Sequence, residues 1–252
     1  MQKLTIQKLN ELNKRFYQSQ AQSFSDTREM HWPGWEKLAK IIKKNGEGRT
    51  EDVLDAGCGN GRFLGFMKEQ GIEIEKYLGV DSSIELIKIA TARYSREVNA
   101  KFRVLDILEE QGLGRIEQDF DLIVAFGLLH HIPGFETRLN LLKNLVKKLN
   151  PGGQIAITFW QFRKSQRFDK MILESLDVDK DVSELFNDFE KGDHLLDWDK
   201  SGLPRYCHNF SDKEIDKLTA ELEPTGVNVV ADFSADGKEG NLNRYVVFRL
   251  NR

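Results

Sequence analysis

The feature that most limits the fold is the stretch Val53–Arg62, reading VLDAGCGNGR. An apolar run (Val53, Leu54) ends on Asp55, and Gly57, Gly59 and Gly61 then alternate with Cys58 and Asn60. Phe63, Leu64, Phe66 and Met67 follow at helical spacing, so the stretch reads as strand, tight turn, helix. Glycines are needed where the backbone takes positive φ or where a ligand touches bare backbone. The free N–H groups of the following helix point at whatever rests on the turn. A dinucleotide fingerprint, G-x-G-x-x-G, would put its third glycine where Arg62 stands, although Asp81 lies at the distance that fold asks for.

Around this turn, strand and helix patterns alternate. Tyr77–Val80 reads as a buried strand ending at Asp81, with Ser82 as N-cap of a helix carrying Ile84, Ile87 and Ala90. Lys101–Leu105 is a strand ending on Asp106, and Phe120–Phe126 is an apolar run expected of a parallel strand covered on both faces. A helix over 135–149 stops at Asn150-Pro151-Gly152-Gly153, and Gln154–Trp160 is the fifth strand. Five such alternations predict a doubly wound parallel sheet, with ligands beyond the carboxyl ends of its strands. Asp81, Asp106 and the Gly127–His131 segment all fall there.

The flanks are less regular. Leu4, Leu9, Leu12 and Phe16 predict a first helix over 3–18, and Trp35, Leu38, Ile41 and Ile42 a second, ending near Gly46. Between them FSDTREMHWPGW (24–35) is polar and broken by Pro33-Gly34. Composition favours a linker with Trp32 and Trp35 on the core; a lid over the site, with Arg28 aimed at a carboxylate, is the functional alternative. Residues 161–210 form a charged insertion with a weak helix near 168–176, read as a cap. Helix 212–222 then precedes two strands, Val227–Phe233 and Tyr245–Leu250, which a short connection forces antiparallel. The organisation expected is N-terminal helices and lid over 1–45, then one domain over 46–252 with the cap at about 161–210.

Charged residues make up 31% and the net charge is −3, so nucleic-acid binding needs a local patch, with Lys43, Lys44, Arg163, Lys164 and Arg167 as candidates. A solvated face is the usual fate of such runs. Two cysteines, Cys58 and Cys207, make no framework, and no metal is expected. No apolar stretch is long enough to span a membrane, the N-terminus is no signal peptide, and a cytoplasmic location is expected.

Asp55-x-Gly57-x-Gly59-x-Gly61 resembles the first motif of class I S-adenosylmethionine (SAM) methyltransferases. That resemblance implies SAM as cofactor, S-adenosylhomocysteine (SAH) as product, and a Rossmann-like, seven-stranded, mostly parallel sheet with N-terminal helices and a cap after strand five. It places Asp55, Gly57, Cys58, Gly59 and Gly61 on the cofactor turn. Asp81, followed by Ser82, resembles the acid that grips the ribose hydroxyls, and Asp106-Ile107 the pair flanking the adenine. FDLIVAFGLLHHIP (120–133) looks like the fourth motif, whose end borders the methyl group, which brings in Phe126, His130 and His131. LNPGG (149–153) resembles the turn before strand five.

A narrower likeness lies in FSDTREMHWPGW, the His130-His131 pair and DHLLDWDKSGLPRYCHNF (193–210). These are similar to segments of the wobble-uridine tRNA methyltransferases, which esterify a carboxymethyl group at the first anticodon position. The likeness implies tRNA as acceptor and, from the eukaryotic members, a small activating protein partner. A small-molecule or peptide carboxylate is the alternative acceptor, and a non-catalytic scaffold the third reading, against which intact Asp55, Asp81 and Asp106 argue. A carboxylate acceptor needs no general base, being anionic at neutral pH, but it needs a cradle, and Arg28, Arg205, Tyr206 and His208 are the candidates. A hydroxyl or amine acceptor would need His130 or His131 as base.

Overall fold

The computed structural model describes every residue except 28–29, 47–48, 98, 110 and 198–201. The chain begins with two helices, α1 (Lys3–Asp26) and α2 (Pro33–Gly46). The alternating part follows as β1 (Arg49–Ala56), α3 (Arg62–Glu69), β2 (Glu73–Asp81), α4 (Ile84–Arg93), β3 (Ala100–Val104), β4 (Phe120–Ala125), α5 (Phe135–Val146) and β5 (Leu149–Trp160). The insertion contributes β6 (Ile172–Leu173), α6 (Lys180–Ser183), β7 (Asp193–Asp197) and β8 (Pro204–His208). The chain ends with α7 (Asp212–Leu222), β9 (Val227–Ala235) and β10 (Asn243–Leu250).

The main sheet has seven strands in the order β3-β2-β1-β4-β5-β10-β9. Pairing is parallel from β3 to β5, and β10 runs antiparallel to both β5 and β9. This is the doubly wound sheet the alternation predicts. Its strand order reverses between β1 and β4, which sit side by side, and a crevice opens at the carboxyl ends of strands at such a switch point. Val53 and Leu54 of β1 and residues 122–125 of β4 are apolar on both sides because both faces are covered there. Trp35, Leu38 and Ile42 of α2 and Phe63 and Met67 of α3 pack on one face, and Leu139, Leu142 and Leu145 of α5 with Ile215 and Leu218 of α7 on the other.

Several expectations are corrected. Helix α1 runs on to Asp26, and Leu4 is 61% exposed. Its buried stripe is Thr5, Leu9, Asn13 and Phe16, one residue per turn. Ser83, not Ser82, caps α4, its hydroxyl accepting from Leu86 N at 3.3 Å. The weak helix near 168–176 is a 3₁₀ segment, Gln166–Met171, that runs into β6. The insertion is a second, three-stranded antiparallel sheet, β6-β7-β8. Leu9 of α1 packs against Leu195 of β7 and Tyr206 of β8, so the N-terminal helix and the insertion share a small core of their own. Among the described residues no helix is long and apolar enough to cross a membrane.

Candidate active site

A cavity of about 1040 Å³ lies at the switch point, between the tips of the main strands and the α1–cap unit. On the strand side the glycine turn explains itself residue by residue. Gly57, Gly59 and Gly61 have φ of 76°, 55° and 75°, which L side chains rarely adopt. A Cβ on Gly57 would press on Leu128 at 3.0 Å, and one on Gly61 on Phe102 and Tyr94, also at 3.0 Å. At Gly59 a Cβ would meet nothing within 4 Å, so this backbone faces the open cavity. Gly57 N and Cys58 N both donate to Val80 O, at 2.8 and 3.0 Å, tying the turn to β2.

The acids form the adjoining wall. Asp81 accepts from Gly59 N at 3.0 Å through one oxygen and from Ser83 N at 2.8 Å through the other. Burial pushes its carboxyl above the usual range, and those two backbone bonds oppose the shift. Asp55 is 3% exposed and accepts from the Tyr77 hydroxyl. Burial raises its pKa to about 7, against the lowering effect of that bond. Asp106, two residues past β3, accepts from Leu108 N at 3.0 Å. Ser82, Ile107, Cys58 and Phe126 line the same wall. Gly61 does not line the cavity; its place is under the aromatic pair Tyr94–Phe102.

The opposite wall is assembled from distant segments. The 3₁₀ turn Leu129–His131 presents both histidines to the cavity. His130 packs against Trp160, centroids 4.7 Å apart and planes tilted by 53°. His131 Nε2 lies 2.6 Å from the hydroxyl of Tyr17 on α1, and its Nδ1 lies 3.1 Å from Tyr206 O. Arg205 of β8 is 1% exposed, donates from Nη1 to the Tyr17 hydroxyl at 3.2 Å, and lies over the rings of Phe16 and Trp160. Asn13 clamps the arrangement. It donates to His131 O at 3.0 Å and Tyr206 O at 3.2 Å, and accepts from Tyr206 N at 2.8 Å.

Two members of the expected carboxylate cradle face away. The pleat of β8 puts Arg205 and Cys207 on one side and Tyr206 and His208 on the other. Tyr206 donates its hydroxyl to Asp193 at 2.6 Å; His208 is held by Asp193 at Nδ1 (2.6 Å) and Glu214 at Nε2 (2.8 Å). Neither lines the cavity, and His208 is 1% exposed. Both belong to a buried polar knot with Arg138, which bonds Glu190 and Glu214 at 3.0 Å each and Ile132 O at 2.9 Å. Arg28 lies outside the described residues. Of the basic candidates, only Arg167 lines the cavity; Arg163 pairs with Asp169 at 2.9 Å and Lys164 with Asp212 at 3.4 Å. Ligand-type atoms of His130, His131 and Cys207 lie within 4.8 Å of one another, but both ring nitrogens of His131 are already in hydrogen bonds.

Sequence reasoning missed Tyr17, Asn13, Trp160 and Asp236. Asn13 left a trace, a polar residue on the apolar stripe of a helix. Asp236, in the β9–β10 turn with φ 66°, lines the cavity and accepts from Gly34 N, Asn243 Nδ2 and the Tyr245 hydroxyl. It anchors the start of α2, where a Cβ on Gly34 would collide with the Tyr245 ring at 2.3 Å. Within that segment Trp35 is buried in the core, whereas Trp32 lines the cavity with Arg62 over its ring.

A family model described as a methyltransferase domain matches residues 27–231. The chain belongs to that family. Its fold is that of class I SAM-dependent methyltransferases: the protein of the solved "DhpI-SAM-HEP complex" superimposes with a TM-score of 0.65, covering 96% of this chain and 97% of that one at 16% identity. Among curated relatives, a "Probable tRNA methyltransferase 9B" of Bos taurus is 27% identical over 73% of this chain and 32% of its own length. A "tRNA (carboxymethyluridine(34)-5-O)-methyltransferase" of Arabidopsis thaliana is 32% identical over 58% of this chain and 32% of its own length. This methyltransferase domain thus spans about a third of the length of both relatives.

Proposed function

We propose that this methyltransferase domain transfers the methyl group of SAM to a carboxylate, that of a carboxymethyl-modified wobble uridine in tRNA. The observation that carries the reading is the cavity's far wall. It offers a buried guanidinium, Arg205, held by Tyr17 between aromatic rings, beside a histidine whose two nitrogens are already engaged. Such a wall suits an acceptor that arrives anionic and needs holding rather than deprotonating.

The residues present fit the cofactor. Gly59 leaves bare backbone beside open space, and Asp81 and Asp106 stand at neighbouring strand tips as acceptors for hydroxyl and amino groups. SAM, when bound, supplies an electrophilic methyl carbon on a sulfonium. Asp81 would take the ribose hydroxyls, Asp106 and Ile107 would flank the adenine, and Asp55, Gly57, Cys58, Ser82 and Phe126 would complete that wall. Arg205 would hold the acceptor carboxylate in line, with Tyr17 and the rings of Trp160 and His130 excluding water. Catalysis of this kind is alignment and desolvation. The tRNA part of the reading is supported by what the curated relatives are named for. A cavity at the upper end of the size range for small-ligand sites leaves room for a nucleoside beside the cofactor.

The test is mass spectrometry of nucleosides from tRNA bearing the free carboxymethyl group, incubated with the protein and SAM. Conversion to the methyl ester is expected. Methylation of free carboxylates with none on tRNA would move the reading to a small-molecule acceptor. A small activating protein partner belongs to the same proposal, and full turnover by the chain alone would remove it.

A further inference from the structure

We infer that Tyr17 is a positioning residue of the acceptor wall, its hydroxyl turned by the Nδ1–H form of His131 so that its oxygen accepts from Arg205; the inference rests on reading Arg205 as the carboxylate's ligand. Proton accounting carries it. Arg205 has donors only, so in its bond to Tyr17 the phenol oxygen accepts. Tyr206 O is a carbonyl and accepts only, so the 3.1 Å bond from His131 requires a proton on Nδ1. In the neutral ring Nε2 is then a lone pair, and the Tyr17 hydroxyl donates its single proton into it at 2.6 Å. Arg205, Tyr17, His131 and the carbonyl of Tyr206 thus form one chain of donors running in one direction. Reversing any member would set two protons or two lone pairs against each other.

The consequences separate. His131 is withdrawn from proton abstraction, since its only basic nitrogen is already accepting. Arg205 is held in place by an oxygen that belongs to the N-terminal helix, 188 residues away in sequence. Asn13 already fixes the backbone of His131 and Tyr206 by three bonds of its own. Loss of the Tyr17 hydroxyl therefore leaves the frame standing and takes away the oxygen that accepts from Arg205.

The experiment compares the full chain with Tyr17→Phe, both labelled with ¹⁵N-histidine. In the wild-type protein the long-range ¹H–¹⁵N spectrum should show His131 with a protonated Nδ1 and an unprotonated Nε2. In Tyr17→Phe the Tyr206 carbonyl still calls for a proton on Nδ1, so the tautomer should stay the same. KM for the acceptor should rise about tenfold, as for loss of a hydrogen bond to a charged group, while the Kd for SAH by calorimetry stays within about twofold. A wild-type His131 protonated at Nε2, or a Tyr17→Phe protein with unchanged KM, would overturn the inference. If no carboxylate is methylated at all, the function assigned to Arg205 fails, and the tautomer spectra still decide the role of Tyr17.

Discussion

The two walls of the cavity are built by opposite means. The strand wall comes from short contiguous stretches, each a strand tip and the residues after it, with bare backbone at Gly59 beside the acids. The wall on the side of α1 and the insertion is joined through side chains by bonds that cross 114, 188 and 193 residues of sequence. One wall is what the sheet topology provides; the other is what the N-terminal helix and the insertion add to it. The contrast suggests that cofactor and acceptor recognition can be broken separately.

The largest effect should come from the acceptor wall. Arg205→Ala is expected to lower kcat/KM by roughly 10²–10³-fold, the range seen when a charge-stabilising donor is removed, with SAH affinity unchanged. Arg205→Lys should recover only part of that loss, because a point charge does not replace a two-pronged donor. Equal loss of SAH binding in calorimetry would show that the walls are not independent. Asp81→Ala should do the reverse, weakening SAM by about 10²-fold through loss of a charged acceptor and release of the Gly59 N–H it holds. Unchanged affinity would remove Asp81 from the cofactor wall.

Asn13→Leu tests the seam between the two. Three bonds to main-chain groups are lost, two of them buried, so unfolding should become easier by about 2–3 kcal/mol. SAH affinity should stay within a few-fold, since the glycine turn is untouched. A protein that keeps its stability would mean that α1 is held by the Leu9 contacts alone.

The smallest effect concerns pH. Burial pushes the His208 imidazolium down, but the bonds from Asp193 and Glu214 outweigh it and raise the pKa above the ordinary 6.5. Its stabilising contribution is fully present below the unfolded-state value and is lost as pH rises through the folded one. Asp193 is held below its usual range, chiefly by His208 once burial is overcome, so its share is lost at the acid end. Thermal scans should show a melting temperature a few degrees lower at mildly alkaline pH than near pH 6. His208→Gln should flatten that slope, whereas an unaltered slope would place the titration elsewhere.

What was readable in the sequence follows the same division. The parallel sheet, the glycine turn and the three aspartates were legible because each is encoded within a few residues: an apolar run, a glycine at every second position, an acid where the run ends. The sequence reading grouped Arg205, Tyr206 and His208 because they are neighbours, and on a strand neighbours face opposite ways. Only Arg205 reaches the cavity, and nothing local says that 204–208 is a strand until β7 is there to pair with it. Tyr17 was silent for a related reason. One aromatic on a long amphipathic helix looks like any other until the partner face, here a cap closed by β8, is in place. Tertiary pairing, not propensity, supplies that information.

The seam at Asn13 carries one more implication. β8 is an outermost strand of its small sheet, and on its unpaired flank the amide of Asn13 meets the N–H and the C=O of Tyr206 just as an adjoining strand would. The helix therefore acts as a cover for an open edge. Were α1 trimmed away, a strand with bare main-chain groups would be left, free to recruit the same strand of another molecule, and the first symptom would be self-association.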